Sequence, residues 1–366
     1  MNIYYDYQIL YNQKYGGISR YYFDLIRMIN QNCLANTAIH CKFNTNHYFA
    51  GYKEIGQAEA FLDIKSSAIR RPLRLYGHLV NQEITRQCAQ KADIVHLTYY
   101  NPYALKLKGV KKVVTVYDMI EEVKRQDSHL DTVIEYKKKC IQEADHIIAI
   151  SKSTKNDILR LYPSVDEKKI SVIYIGTSIK KSRRIVTDLP DKYILFVGKR
   201  DGYKNFNGFF RAIKPLLLQF RDLKLLCVGG GCFTTEEDRI FGETKRQVFQ
   251  MDVDDETLAA AYTKALCFVF PSLYEGFGIP TLEAFTCGCP AVISNTSSMP
   301  EVGGDAVLYF DPENEVEMRM QIEKVIHDNT LRLELKDKGK ERGKRFSWEA
   351  IARQTVECYK KVLKDG

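Results

Sequence analysis

The 366 residues contain no long apolar run. The longest stretch without a charged side chain, Ala284 to Pro300, holds Cys, Gly, Ser, Asn, Thr and two prolines, so it does not read as a lipid-facing helix. The opening residues, Met1 to Gln13, reach Asp6 at once and lack a basic segment followed by an apolar core, which reads as no secretory leader. The ten cysteines form no framework. Cys227 and Cys267 lie in apolar surroundings, and Cys287 and Cys289, the close pair, have no second pair to complete a zinc site. That usage points to a reducing, cytoplasmic setting. Hydrophobic residues make up 45% and charged residues 27%, with 22 Gly and 10 Pro, which excludes a disordered chain, a collagen-like repeat and a disulfide miniprotein.

Length and alternation are what the chain does have. Single cores stop growing at roughly 250–300 residues, so two domains are expected. Short apolar runs bounded by polar turns recur at Ile94–Leu97, Val113–Val116, Ile147–Ile150, Tyr193–Val197, Leu223–Val228 and Cys267–Phe270, and read as buried strands. Segments of helical spacing, such as Asn205–Phe220, Asp255–Lys264 and Glu315–Arg345, lie between them. Strand–helix alternation through both halves implies an α/β chain of two Rossmann-like domains with parallel sheets. Residues 175–190 are polar, basic and weakly periodic, so the linker is expected there. The expected division is 1–182, 183–345, and a C-terminal helix at 346–366 that crosses back to the first domain. This last segment is amphipathic and opens with the only tryptophan, Trp348. Ligands of such sheets bind at the carboxyl ends of the strands, which places the expected site in a cleft between the domains.

Charge is unevenly divided. Residues 1–184 carry 29 Lys and Arg against 18 Asp and Glu, whereas the remainder carries 25 against 28. The basic half suits an anionic partner: a membrane surface, a phospholipid-linked substrate or nucleic acid. Arg70, Arg71, Arg74 and Arg86 contribute much of the excess, as does the run Lys137 to Lys139, which reads equally well as a solvated helix face.

Five constellations could carry chemistry. The first runs from Tyr274 to Ala284 as YEGFGIPTLEA, directly after the apolar Cys267–Phe270. Gly276 and Gly278 allow a tight turn, and Pro280 suits a first helical turn. A helix N-terminus beside a strand end is an anion site suited to phosphate. Glu275 and Glu283 can then accept from the hydroxyls of a sugar and a ribose. The second is the turn after Tyr193–Val197, where Gly198 bends the chain and Lys199, Arg200 and Lys204 supply three cations. Such cations on a strand-end turn suit an anionic ligand, against the alternative of exposed charges on an ordinary turn. The third is Gly16-Gly17, a candidate phosphate loop between an initial strand at Ile3–Tyr7 and a helix at Ser19–Ile29. The fourth is Tyr117-Asp118 at a strand end. A tyrosine with its usual pKa of about 10 is no neutral-pH acid–base group, so Tyr117 reads as a positioning hydroxyl and Asp118 as the more functional member. His96 is a rival contact on the neighbouring strand end, or a satisfied core histidine. The fifth, Asp252-Val253-Asp254-Asp255, has the form of a metal motif, but Asp254 precedes an acidic helix start and reads as a cap. Gly229-Gly230-Gly231 lacks a Gly-Lys-Ser/Thr ending and reads as a place where a nucleotide approaches the backbone.

Together these motifs resemble glycosyltransferase family 4, the retaining enzymes of GT-B fold, in which two Rossmann-like domains face each other across a cleft. The resemblance rests on EGFGIPTLEA and extends through Gly16–Arg20, Val114–Asp118, Ala144–Ser151, Phe196–Asn205 and Arg345–Trp348. It is nearest to a bacterial branch that includes O-antigen mannosyltransferases, and His96–Tyr103, with Tyr99 as a further sugar or acceptor contact, is similar to that branch. The resemblance implies a nucleotide-diphosphate sugar donor held by the second domain. Arg200 and Lys204 would face the diphosphate, with Lys199 a third cation and Gly198 at the turn. Glu275 and the Phe277–Gly278 backbone would face the sugar, and Glu283 the ribose. Gly16, Gly17 and Tyr117 would complete the donor site; many members carry histidine where this chain has Tyr117. Asp118 would align the acceptor, a saccharide or lipid-linked saccharide held by the basic first domain.

Front-face transfer without metal or cofactor, peripheral contact with an anionic membrane, and no nucleic-acid partner complete the expectation. GDP-mannose is favoured through the resemblance, UDP-hexoses stay open, and a GT-B sugar-nucleotide epimerase is the rival enzyme. An NAD oxidoreductase would need a Gly-x-Gly-x-x-Gly opening that Gly16–Ser19 does not supply.

Overall fold

The computed structural model describes residues 1–50, 57–61, 67–124, 131–182, 184, 186–200 and 202–365. The side chains of Arg70 and Arg71 and the whole of Asp201 lie outside the described set. The chain divides into two compact units. One comprises Met1–Ile175 with Trp348–Gly366, the other Gly176–Ser347.

The first unit is built on strands β1 (Asn2–Tyr5), β2 (Asn36–Asn44), β3 (Gln57–Phe61), β4 (Ile94–Leu97), β5 (Lys111–Val116), β6 (His146–Ala149) and β7 (Ile170–Val172). They lie in the order β3-β2-β1-β4-β5-β6-β7, and every pairing is parallel. Ile3 stands opposite Ile94 on one side and Thr37 on the other. Every residue of β4 and β6 is buried, the physical reason for their unbroken apolar runs. The helix Gly17–Gln31 turns Tyr21, Tyr22, Leu25, Ile26 and Ile29 inward. It packs against the C-terminal helix Trp348–Lys364, which buries Ile351, Ala352, Thr355, Val356, Tyr359 and Val362 at three- and four-residue spacing.

The second unit holds β8 (Tyr193–Val197), β9 (Lys224–Val228), β10 (Val248–Met251), β11 (Cys267–Phe270), β12 (Ala291–Ser294) and β13 (Leu308–Phe310). Their order is β10-β9-β8-β11-β12-β13, again parallel throughout. Its core is aromatic-rich: Phe196 meets Phe206 edge-on at 5.0 Å, and Phe210 meets Phe241 at 4.8 Å.

Two boundaries differ from expectation. The break between units falls at Ile175–Gly176, ahead of 182–183. Ile179 and Leu189 are buried, and Arg184 reaches Asp254 at 3.2 Å, so much of the polar stretch belongs to the second unit. The long segment Glu315–Arg345 is two helices, Glu315–His327 and Asn329–Gly343. Asp328 separates them by accepting the Leu331 N–H at 2.9 Å, and Arg332 donates to the freed carbonyls of Val325 and Ile326 at 2.7 Å.

All ten cysteines are free thiols. Among the described residues no helix is long and apolar enough to cross a membrane.

Candidate active site

Strand order in the second unit reverses between β8 and β11. In open parallel sheets such a switch point, at the carboxyl ends of the strands, is where ligands bind. These are the two strands followed by the basic turn and by the Glu-Gly-Phe-Gly loop. Gly198 leaves β8 with φ of +123° and donates its N–H to Val228 O at 2.9 Å. One tight helical turn, Gly202–Lys204, then delivers Lys204. The two loops are sewn together where Leu273 N–H meets Tyr203 O at 2.8 Å.

Lys204 Nζ lies 2.6 Å from Glu275 Oε1 and over the rings of Tyr203 (5.1 Å) and Phe270 (5.2 Å). Glu275 is only 8% exposed. Its N–H donates to Ser297 Oγ and its carbonyl accepts from Ser298 Oγ, both at 2.9 Å. The loop backbone that carries the carboxylate is therefore tied down by two side chains from the segment after β12. Gly278 follows with φ of +99°, and a Cβ there would stand 2.9 Å from Met299 Sδ; both facts demand glycine. The helix Ile279–Cys287 begins at this point with Pro280 in its first turn. Its positive dipole end follows Glu275 by four residues. Glu283, on the same helix, accepts from Tyr262 Oη at 3.0 Å.

Arg200 is placed differently from Lys204. Its Nε–H donates to Glu237 at 2.5 Å, Nη1 to Gly229 O at 2.9 Å, and Nη2 to Gly231 O at 2.9 Å and Cys232 O at 3.1 Å. Phe233 covers the guanidinium at 4.7 Å. Gly229, Gly230 and Gly231 have φ of +83°, +78° and +71°, and this left-handed path turns the Gly229 and Gly231 carbonyls onto the guanidinium. Four of the roughly five N–H groups of an arginine are thus engaged within the unit. Lys199 is exposed and, with Arg200, Gly230, Thr234 and Glu237, lines a cavity of about 600 Å³.

In the first unit, Gly17 opens the helix Gly17–Gln31, and Gly16 is extended rather than left-handed. A Cβ at Gly16 would lie 2.5 Å from Gln13 Oε1, so a larger residue there would have to displace the Gln13 side chain. That Gln13 oxygen accepts the Ser19 N–H at 3.2 Å, so the helix start has a side-chain acceptor of its own.

Asp118, after β5, accepts from Ile120 N–H at 3.1 Å and lies 3.9 Å from Lys137 Nζ. Burial pushes its carboxyl up to about 6 against the opposing pull of Lys137. Tyr99, partly buried, tilts against Tyr100 at 4.9 Å.

Two expected contacts are corrected. His96 is fully buried, with Nδ1 2.5 Å from Tyr359 Oη and Nε2 2.9 Å from Thr115 Oγ1. It offers no surface to a sugar or acceptor, and burial lowers its pKa to about 3; it is the satisfied core histidine. The Tyr117 hydroxyl points into the unit, with its ring near Tyr21 (5.9 Å) and Tyr22 (6.4 Å), so it does not present a positioning hydroxyl at the surface. Asp254 caps the helix Asp255–Lys264 through Thr257 N–H at 2.8 Å.

Sequence reasoning missed Ser297 and Ser298, which clamp Glu275, and Glu237, which holds Arg200. The Thr234-x-x-Glu237 capping box was a readable signal for Glu237; nothing local marks the serines.

Two doubly wound parallel units, one with a cation–carboxylate pair and a glycine-started helix at its switch point, define a protein of the GT-B glycosyltransferase class. Comparison with known proteins agrees. Residues 178–342 match the family described as "Glycosyl transferases group 1", and residues 15–181 match "Glycosyltransferase Family 4". Between them the two glycosyltransferase models take in nearly the whole chain, which is a glycosyltransferase of the group 1 and family 4 kind. O-antigen chain mannosyltransferase B of Escherichia coli is 28% identical over 294 residues, 75% of this chain and 77% of that protein. The serotype-specific mannosyltransferase WbdA of Escherichia coli is 28% identical over 243 residues; the match spans 62% of this chain but only 30% of that longer protein. Among solved structures, sucrose-phosphate synthase from Thermosynechococcus elongatus superposes with a TM-score of 0.75 at 19% identity, covering 100% and 99% of the two chains. Anabaena HepE, solved with UDP and glucose, superposes with a TM-score of 0.73 at 15% identity over 97% and 98%. The fold is GT-B.

Proposed function

We propose that this chain is a retaining mannosyltransferase of surface-polysaccharide assembly, moving mannose from a nucleotide-diphosphate donor to a hydroxyl of a lipid-linked saccharide. The observation that carries the reading is the Lys204–Glu275 pair at the β8–β11 switch point, 2.6 Å apart and clamped from behind. Lys204 faces the diphosphate with the N-terminus of Ile279–Cys287, where both oppose the charge that grows as the sugar–phosphate bond breaks. Lys199 adds a cation from the exposed turn. Glu275 accepts from sugar hydroxyls, Glu283 from the ribose, and Arg200 acts indirectly by shaping the Gly229–Gly231 loop on which the nucleotide rests.

The acceptor oxygen attacks from the face the phosphate leaves, the C1–O bond to phosphate breaks, and the departing phosphate takes the acceptor proton. Asp118 orients that acceptor. No metal is required in this scheme, since the cations are the protein's own and Asp254 is committed to its helix cap. Mannose is favoured by the names of the relatives, whereas the UDP bound by HepE keeps a uridine donor under test.

A donor panel decides the matter. Of GDP-mannose, UDP-glucose and UDP-N-acetylglucosamine, GDP-mannose should raise the apparent Tm most and support transfer that persists in EDTA. Lys204→Ala should lower kcat on the order of 10²-fold. Near-normal turnover in that variant would remove Lys204 from the chemistry.

A peripheral membrane contact would use a surface of the first unit. On the helix Ser67–Ala89, Leu75, Tyr76 and Leu79 are each more than half exposed, and Arg74 and Arg86 are exposed beside them. Apolar side chains rimmed by arginines suit an anionic bilayer. Phosphatidylglycerol liposomes should retain the protein at low salt and release it at high salt; retention by Leu75→Ser/Leu79→Ser equal to wild type would place the contact elsewhere.

A further inference from the structure

Tyr15 is the most exposed large hydrophobic side chain among the described residues, at 65%. It is nonetheless held in place. Its ring lies flat on His47, with centroids 4.3 Å apart and planes 1° from parallel, and the Tyr48 ring stands perpendicular to it at 6.0 Å. His47 covers one face, and Tyr15 still leaves 65% of its surface open.

The backbone beneath this stack is pinned by buried amides. Asn46, fully buried, donates from Nδ2 to Gln13 O at 2.7 Å and accepts from Tyr48 N–H at 2.9 Å. Asn44 accepts the Asn46 N–H at 2.8 Å. His47 N–H donates to Lys14 O, and Thr45 N–H to Leu10 O, both at 3.0 Å. The segments after β1 and after β2 are thereby sewn together, and the stack stands on the carboxyl-end side of both strands, where parallel sheets take ligands. Tyr15 also immediately precedes the Gly16-Gly17 turn.

We propose that the Tyr15–His47 stack is a binding platform for a pyranose ring of the saccharide acceptor. A pyranose carries a face of C–H groups and a rim of hydroxyls. The C–H face gains apolar burial and contact with the electron-rich ring face, while the hydroxyls stay at the edge in water. A tyrosine with only two side-chain torsions, already stacked, loses little freedom on binding. The tyrosine ring carries no formal charge, which suits a neutral sugar better than a phosphate. This inference rests on the transfer reading only for the word acceptor; the platform itself is tested by saccharide binding alone.

The probe is α-linked mannobiose, observed by saturation-transfer NMR against the full chain, alongside calorimetry with GDP. Ring C–H protons of one sugar should saturate with wild type. Tyr15→Ala should weaken mannobiose at least tenfold, Tyr15→Phe should retain it, and GDP affinity should be the same in all three. Mannobiose held equally well by Tyr15→Ala, or not held by wild type, overturns the platform. A loss of GDP affinity in Tyr15→Ala overturns it too, by moving the ring to the nucleotide. Saturation of mannobiose by a wild-type chain that binds no sugar nucleotide would support the platform while removing the transfer reading.

Discussion

Three consecutive lysines, Lys137 to Lys139, show how far one position decides a residue's physics. Lys138 and Lys139 are exposed, whereas Lys137 is 1% exposed. Its ammonium lies 2.9 Å from both Glu121 and Glu122, 3.2 Å from Asp118 O, and 5.3 Å from the Tyr100 ring. Burial alone would lower its pKa, but Asp118, Glu121 and Glu122 together hold it above the ordinary value. The cluster fixes the turn that carries Asp118. Lys137→Met leaves those carboxylates without their cation, and removing one partner of a buried pair costs about 3–5 kcal/mol. Lys138→Met, on the same helix but in water, should stay within about 0.5 kcal/mol of wild type. Urea unfolding of the two variants checks this, and equal losses would show that the buried ammonium contributes nothing beyond its stem.

At the scale of elements, what could be read was what backbone and burial dictate locally. β4, β6, β8 and β11 are buried along nearly their whole length, so their apolar runs announced them. β2 mixes exposed and buried positions over nine residues, and β7 and β13 have only three residues each, too little pattern to stand out. The break at Asp328 was masked because hydrophobic spacing continues on both sides of it. In the candidate site, the Gly-Pro signature of Gly278 and Pro280 gave the turn and helix start, since those residues constrain backbone wherever they occur. The direction of Arg200 was not legible, because it follows from the carbonyls of Gly229, Gly231 and Cys232 on another strand's loop. Nor was the burial of Tyr117, and for His96 the sequence left the core reading as one of two. The partner of His96, Tyr359, lies 263 residues away on the C-terminal helix, and no local pattern reports such a contact.

Over the whole molecule, histidine is as unevenly divided as charge. Six of the seven, all but His327, fall in the first unit. Burial lowers the pKa of His96 to about 3 and of His146 to about 4, and depresses His40 and His78 as well. A base whose pKa is lower when folded takes its proton first in the unfolded chain. The first unit therefore loses stability as pH falls through about 6.5, the unfolded value.

Asp6 and Asp118 act in the opposite sense, because burial raises their carboxyls and the folded state takes up their protons first. A single-residue comparison separates the two effects. His96 alone should remove about 1 kcal/mol between pH 7.5 and 6, a loss that His96→Gln does not share. Trp348, the only tryptophan, packs at 5.9 Å against Tyr21 within the first unit, so its fluorescence follows that unit's urea transition. Wild type should lose about 1 kcal/mol more than His96→Gln over this interval. Parallel pH profiles would mean that His96 takes up a proton in the folded state as readily as in the unfolded one, and the buried neutral imidazole would have to be given up.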